Sequence, residues 1–199
     1  MRWAVRVAIL ATLFALVVYL LTLAPGISWH NDGADSGDLV AAVATGGVPH
    51  PSGYPTYLLV GSLFARLPVG GLAYRLNVMS AAAAAGATGL TLLAILASLS
   101  GAGYASREVR LFAAGAAALT FAFSSILWSQ AVIAEVYALN ALFAAGVCCL
   151  ALLARATGRW WLWVAAAGAF GLGLGNHLSL ATEGVLNWSE RDQAWMRNR

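Results

Sequence analysis

The chain has 199 residues, 61% of them hydrophobic and only 10% charged, with a net charge of +3. Soluble domains usually carry about 25% charged residues, so this composition excludes a water-solvated surface and argues against nucleic acid as a partner. A mean hydropathy of +0.77 and several apolar runs of bilayer-spanning length predict an all-α, polytopic membrane helix bundle.

In chain order, Arg2 and Arg6 precede an apolar run over 7–24. It is longer than a signal-peptide core and is followed by Leu-Ala-Pro-Gly, a poor cleavage site, so it reads as a retained signal anchor. Further spans are predicted at 78–99, 111–127, 136–153 and 160–180. Residues 25–77 form a loop of a different kind, rich in proline, glycine, histidine and acids. Within it, 39–45 is a short apolar stretch and 54–67 a second, too short to span and suited to an interfacial or re-entrant helix. Residues 1–181 thus read as one membrane module and 182–199 as a polar tail. Cys148 and Cys149, adjacent in an apolar run, read as buried thiols without disulfide or metal-ligand spacing.

There is no lysine, so the positive charge is arginine. If 54–67 does not span, Arg2, Arg6, Arg107, Arg110, Arg155 and Arg159 all fall on one side, which the positive-inside tendency makes cytoplasmic. The loop 25–77, Glu135, Asn176 and His177 then gather at the outer face.

Four groups could carry chemistry. Asp35 and Asp38 lie at i and i+3, on one face of a helix that starts between them. The pair could accept a proton from a nucleophile or hold a divalent cation; equally, Asp35 is a good N-cap and Asp38 suits the first turn. In the proline-rich run 48–57, His50, Tyr54 and Tyr57 project polar tips from what could also be a rigid connector. Gln130, Glu135, Tyr137 and Asn140 flank the turn between two spans, where a carboxylate beside the membrane is costly unless solvated or paired. Asn176 and His177 close the last span; Arg75 could grip a phosphate or snorkel to headgroups. The run Gly171-Leu-Gly-Leu-Gly175 contains one GxxxG, read as helix packing.

Taken together, Asp35-Ser-Gly-Asp38-Leu, Gly47-Val-Pro-His-Pro-Ser-Gly-Tyr-Pro, Tyr74-Arg-Leu-Asn-Val-Met-Ser, Trp128-Ser-Gln-Ala-Val-Ile-Ala-Glu-Val-Tyr and Gly173-Leu-Gly-Asn-His-Leu occur in the order that resembles the protein O-mannosyltransferase-like family of GT-C glycosyltransferases. The resemblance implies a GT-C-like N-terminal module with interfacial helices in the first outer loop. It also implies transfer of a sugar from a polyprenyl-phosphate donor to a protein or glycan hydroxyl on the non-cytoplasmic face. By that pattern Asp35 or Asp38 would be the base and Glu135 the second-loop acid; His50, Tyr54, Arg75, Gln130, Tyr137, Asn140, Asn176 and His177 would bind substrate. No cofactor is implied with certainty, and a divalent cation stays open. Members of the family are much longer, so the chain reads as an N-terminal module, a truncation or a frameshifted product. The position usually proline before Gly-Tyr-Pro is Ser52. A non-catalytic membrane subunit or a lipid-linked-sugar transporter fragment is the alternative, although a transporter should carry ionisable groups at mid-span.

Overall fold

The computed structural model describes residues 2–99 and 106–181, and the polar tail 182–199 lies outside the described residues. Among the described residues all regular structure is helical: α1 (Arg2–Leu21), α2 (Ser36–Thr45), α3 (Pro55–Phe64), α4 (Leu72–Ser98), α5 (Arg107–Ala122), α6 (Ser125–Ala131), α7 (Val136–Thr157) and α8 (Trp161–Asn176).

Three helices, α1, α4 and α7, are long and apolar enough to cross a membrane. α4 is the central one, packed against α7, α1 and α5; 61% of its apolar window is buried, against 17% for α1. Its buried face is built of Ala81, Ala83, Ala84, Ala85, Ala87 and Gly89, small residues that let backbones approach in lipid. A Cβ on Gly89 would collide with Thr12 Oγ1 on α1. The outward face of α1, with Ile9, Leu13, Phe14 and Val17, is exposed, as suits a lipid-facing helix.

Residues 111–127 do not form one straight span. α5 and α6 meet at a 61° bend. Ser124 supplies the reason: in extended conformation it caps α6 by accepting the N–H of Leu127. Its own hydroxyl donates to Phe121 O at 2.8 Å, and the Tyr19 hydroxyl donates to Ala122 O at 2.8 Å. Carbonyls left free at the end of α5 are thereby satisfied, which an apolar environment demands. The run 160–180 likewise yields only the 16 residues of α8, about 24 Å of helix, because the chain turns extended at His177. Nor do both glycines of the GxxxG pack. A Cβ at Gly171 would meet open space, whereas one at Gly173 would strike Leu180, and one at Gly175 would come within 2.6 Å of Thr56 Oγ1 on α3.

The predicted short helices of the first loop are α2 and α3, each 10 residues. Gly46, left-handed at φ 67°, ends α2; Pro55 opens α3 at its first turn. The bundle has two distinct ends. At one, Arg107 lies over the Trp3 ring at 5.2 Å, Arg110 donates to Leu99 O, and Ala4, Val5, Ala156 and Thr157 line a common cavity. Arg2, Arg6, Arg107, Arg110, Arg155 and Arg159 sit at or beside these helix ends. At the other, the ends of α1, α6 and α8 meet the starts of α4 and α7: Ala24 N–H donates to Val132 O, Asn77 Nδ2 to Ala24 O and Gly26 O, and Asn176 Nδ2 to Val136 O.

Candidate active site

The second end gathers the acids. Asp35 precedes α2 and Glu135 precedes α7, each at the N-cap position. Neither side chain caps its own helix. Instead the backbone N–H of Asp35 donates to Glu135 Oε1 at 3.1 Å. Glu135 is 1% exposed, and its Oε2 makes no hydrogen bond. Burial, followed by the charge of Asp35, pushes its pKa up to about 7, while Ser36 and backbone N–H groups partly oppose the rise. Ser36 stands out as a residue that spacing alone did not single out for this site, and Tyr57 of the proline-rich run joins it there. Both are buried, the Ser36 hydroxyl is directed at the Glu135 carboxyl, the Tyr57 hydroxyl makes no hydrogen bond, and the Tyr57 pKa is raised by burial and then by Glu135. The one signal of Ser36 in the sequence is its position after Asp35.

Asp38, in the first turn of α2, is used differently. Its Oδ2 accepts both the backbone N–H of His50 at 2.9 Å and His50 Nδ1 at 2.8 Å. Those bonds, the backbone one foremost, hold the Asp38 carboxyl below the usual range, and the Asp38 contact holds His50 above its own. The other ring nitrogen, Nε2, lies 2.9 Å from the Tyr54 hydroxyl and 3.6 Å from Asp35 Oδ2. Tyr54 can point there because it adopts a left-handed conformation, φ 45°, before Pro55. Its ring stacks on His177 at 6.1 Å, and Tyr137 tilts against the same imidazole at 5.4 Å. Asp35, Asp38, His50, Tyr54, Glu135, Tyr137 and His177 therefore form one continuous assembly. Asp35 and Asp38 side chains are 43% and 46% exposed, so the assembly is open to a substrate.

The remaining expected residues divide. Asn176 ties α8 to the start of α7, and Gln130 donates to Asn31 O at 2.9 Å, fastening the turn ahead of Asp35. Asn140 donates to Ser179 Oγ at 3.2 Å; Ser179 N–H in turn donates to His177 Nδ1, which places the proton of a neutral His177 on Nε2. The side-chain carbonyl oxygens of Gln130, Asn140 and Asn176 are buried without a partner. Arg75 is the exception to the expected phosphate grip. Its guanidinium donates to the carbonyls of Ala65, Val69 and Gly70 at 2.6, 2.8 and 3.0 Å, so it clamps the turn between α3 and α4. Among the described residues no three His, Cys, Asp or Glu are arranged to hold a metal ion. An apolar cleft of about 640 Å³ runs from Tyr137 and Asn140 between α4 and α7 to Ser98 near the opposite end.

Comparisons with known proteins give the chain a family. The family described as the protein O-mannosyl-transferase TMEM260 N-terminal domain matches residues 35–182, a range that takes in Asp35, Asp38, His50 and Glu135. The protein O-mannosyl-transferase TMEM260 of Mus musculus is 36% identical over 138 residues, 69% of this chain and 18% of the mouse protein. The match thus spans less than one fifth of that relative's length. No solved structure matches the chain. On the extent of these matches, the chain belongs to the family of the protein O-mannosyl-transferase TMEM260 N-terminal domain.

Proposed function

We propose that this chain is the acid-bearing membrane module of a glycosyltransferase. It moves a sugar, mannose in the case the family name suggests, from a polyprenyl-phosphate donor to the hydroxyl of a protein Ser or Thr. Asp35 is the base that takes the acceptor proton. Its carboxylate is half-exposed and free of any capping duty, and a carboxylate in that position can deprotonate a hydroxyl as it attacks the anomeric carbon. Buried Glu135 fixes the Asp35 backbone and, with its raised pKa, exchanges a proton near neutral pH. The observation that carries the reading is the meeting of Asp35 and Glu135 from two distant helix starts. Further support comes from the apolar cleft, whose length beside the site suits a polyprenyl chain lying along the bundle. Six arginines at the opposite end make the site face non-cytoplasmic by the positive-inside tendency. The transporter alternative finds no support in the positions of the charged groups: Asp35, Asp38, Glu135 and the six arginines sit at helix ends.

The test is transfer by the chain in lipid nanodiscs, with a radiolabelled mannosyl polyprenyl phosphate and a Ser/Thr peptide. Transfer by wild type and a loss of about 10²–10⁴-fold in Asp35→Asn would support the reading. Equal transfer by both would remove Asp35 from the reaction, and none by folded wild type would overturn the transferase reading of this chain.

A further inference from the structure

The prolines at 49, 51 and 55 hold the segment between α2 and α3 on a restricted path, and that path returns His50 to the first turn of α2. One oxygen, Asp38 Oδ2, receives two groups from the same residue: the His50 backbone N–H and ring Nδ1. A carboxylate only accepts, so Nδ1 beside it carries a proton. A neutral His50 is thereby fixed as the Nδ1–H tautomer, and the lone pair of Nε2 is left facing the Tyr54 hydroxyl and Asp35 Oδ2. These two neighbours make opposite demands. The Tyr54 hydroxyl donates to a bare nitrogen, whereas Asp35 pairs with a protonated one. The charged and titratable groups facing the ring are Asp35 and Asp38 beside and in α2, Tyr54 ahead of α3, and Glu135 ahead of α7.

We propose that His50 is the positioning residue that resets Asp35. The proton that Asp35 takes from the acceptor hydroxyl passes to His50 Nε2 and on to water, and Asp38 holds the ring in the tautomer able to receive it. The proposal rests on Asp35 being the base. The balance is simple. The hydroxyl oxygen bonds to the sugar carbon as the bond to phosphate breaks, and the phosphate leaves with that electron pair. The hydroxyl proton goes to Asp35, restoring nothing until a second group removes it. His50 accepts it and becomes an imidazolium flanked by two carboxylates. The Tyr54 hydroxyl then turns its hydrogen away and accepts from Nε2–H. The His50 side chain, 39% exposed, returns the proton to solvent. His50 must be neutral to accept, so the step is active above its titration midpoint and fails as pH falls through it. Hydrogen bonding to Asp38, aided by the Asp35, Asp38 and Glu135 charges, places that midpoint above the ordinary histidine value.

The experiment is a ring-nitrogen NMR titration of the full chain, labelled at its three histidines, in nanodiscs, with His50→Gln to assign the signal. Wild type should show Nδ1–H above its midpoint. The midpoint should fall in Asp38→Asn and in Asp35→Asn, and rise in Tyr54→Phe, which removes a donor to the bare nitrogen. The opposed directions separate the relay from general loosening, and the Tyr54 variant keeps the test decisive if an Asp38 variant fails to fold. An Nε2–H tautomer in wild type, or a midpoint indifferent to Asp35, overturns the proposal. In the transfer assay, Asp38→Asn should move the acid limb of the rate to lower pH, and a purely structural role would lower the rate without moving it. Coupled titrations with no transfer by wild type would overturn the transferase reading instead, and the relay with it.

Discussion

Glu135 Oε1 accepts the backbone N–H of Asp35 at 3.1 Å across 100 residues of chain. The contact joins the N-cap positions of α7 and α2, so two helix starts, each the positive end of its macrodipole, face the same carboxylate pair. That arrangement makes a buried acid tolerable at this position.

Raising the Glu135 pKa from 4.5 to about 7 means that the folded protein binds the proton more tightly than the unfolded chain. The contribution of Glu135 to stability is therefore greatest at low pH and falls as pH rises from the unfolded value through about 7, by up to about 3 kcal/mol. Glu135→Gln keeps the Oε1 acceptor and never ionises. Thermal denaturation in nanodiscs should show little difference from wild type near pH 4 and a more stable variant at pH 8. A difference of constant size at both pH values would contradict the buried, titrating carboxyl.

Asp35 makes no side-chain capping bond. Loss of an ordinary N-cap costs about 0.5–2 kcal/mol; Asp35→Ala should cost less than the low end of that range in the same denaturation experiment. A full capping penalty would show that the carboxylate does turn back onto α2.

At the break between α5 and α6, Tyr19→Phe should leave the Ala122 carbonyl without a partner and destabilise the bundle by about 1–3 kcal/mol. Ser124→Ala removes the α6 cap and should cost about 0.5–2 kcal/mol. The two changes act at one junction, so a double variant should show non-additivity of about 0.5 kcal/mol or more. Strict additivity would mean that the two bonds serve separate places.

Membrane orientation is open to labelling. Ser52 follows His50 at the acidic end, and Ser106 precedes α5 at the arginine end; both are exposed. With Cys148 and Cys149 replaced, an impermeant thiol reagent added outside should label Ser52→Cys and spare Ser106→Cys. The reverse pattern would place the acids in the cytoplasm.

Much of the architecture was legible in the residues. A bilayer requires long apolar helices, so the spans at α1, α4 and α7 declare themselves by hydropathy, and Gly46 and Pro55 mark the limits of the short loop helices. Arg2, Arg6, Arg107, Arg110, Arg155 and Arg159 lie at helix ends because charge is costly at mid-membrane. Ordered motifs also singled out Asp35, Asp38, His50 and Glu135. The bend after Ala122 was hidden, since hydropathy does not register a serine that can cap a new helix or a tyrosine 103 residues away that satisfies a freed carbonyl. Spacing could not divide capping from chemistry at Asp35 and Asp38, nor show that Arg75 is occupied by three carbonyls. By itself, the sequence determined a membrane bundle with polar groups at its helix ends. Which of those groups touch was decided only by tertiary structure, because the close packing of α4 against α1 and α7 sets which helix starts and ends come within hydrogen-bond reach.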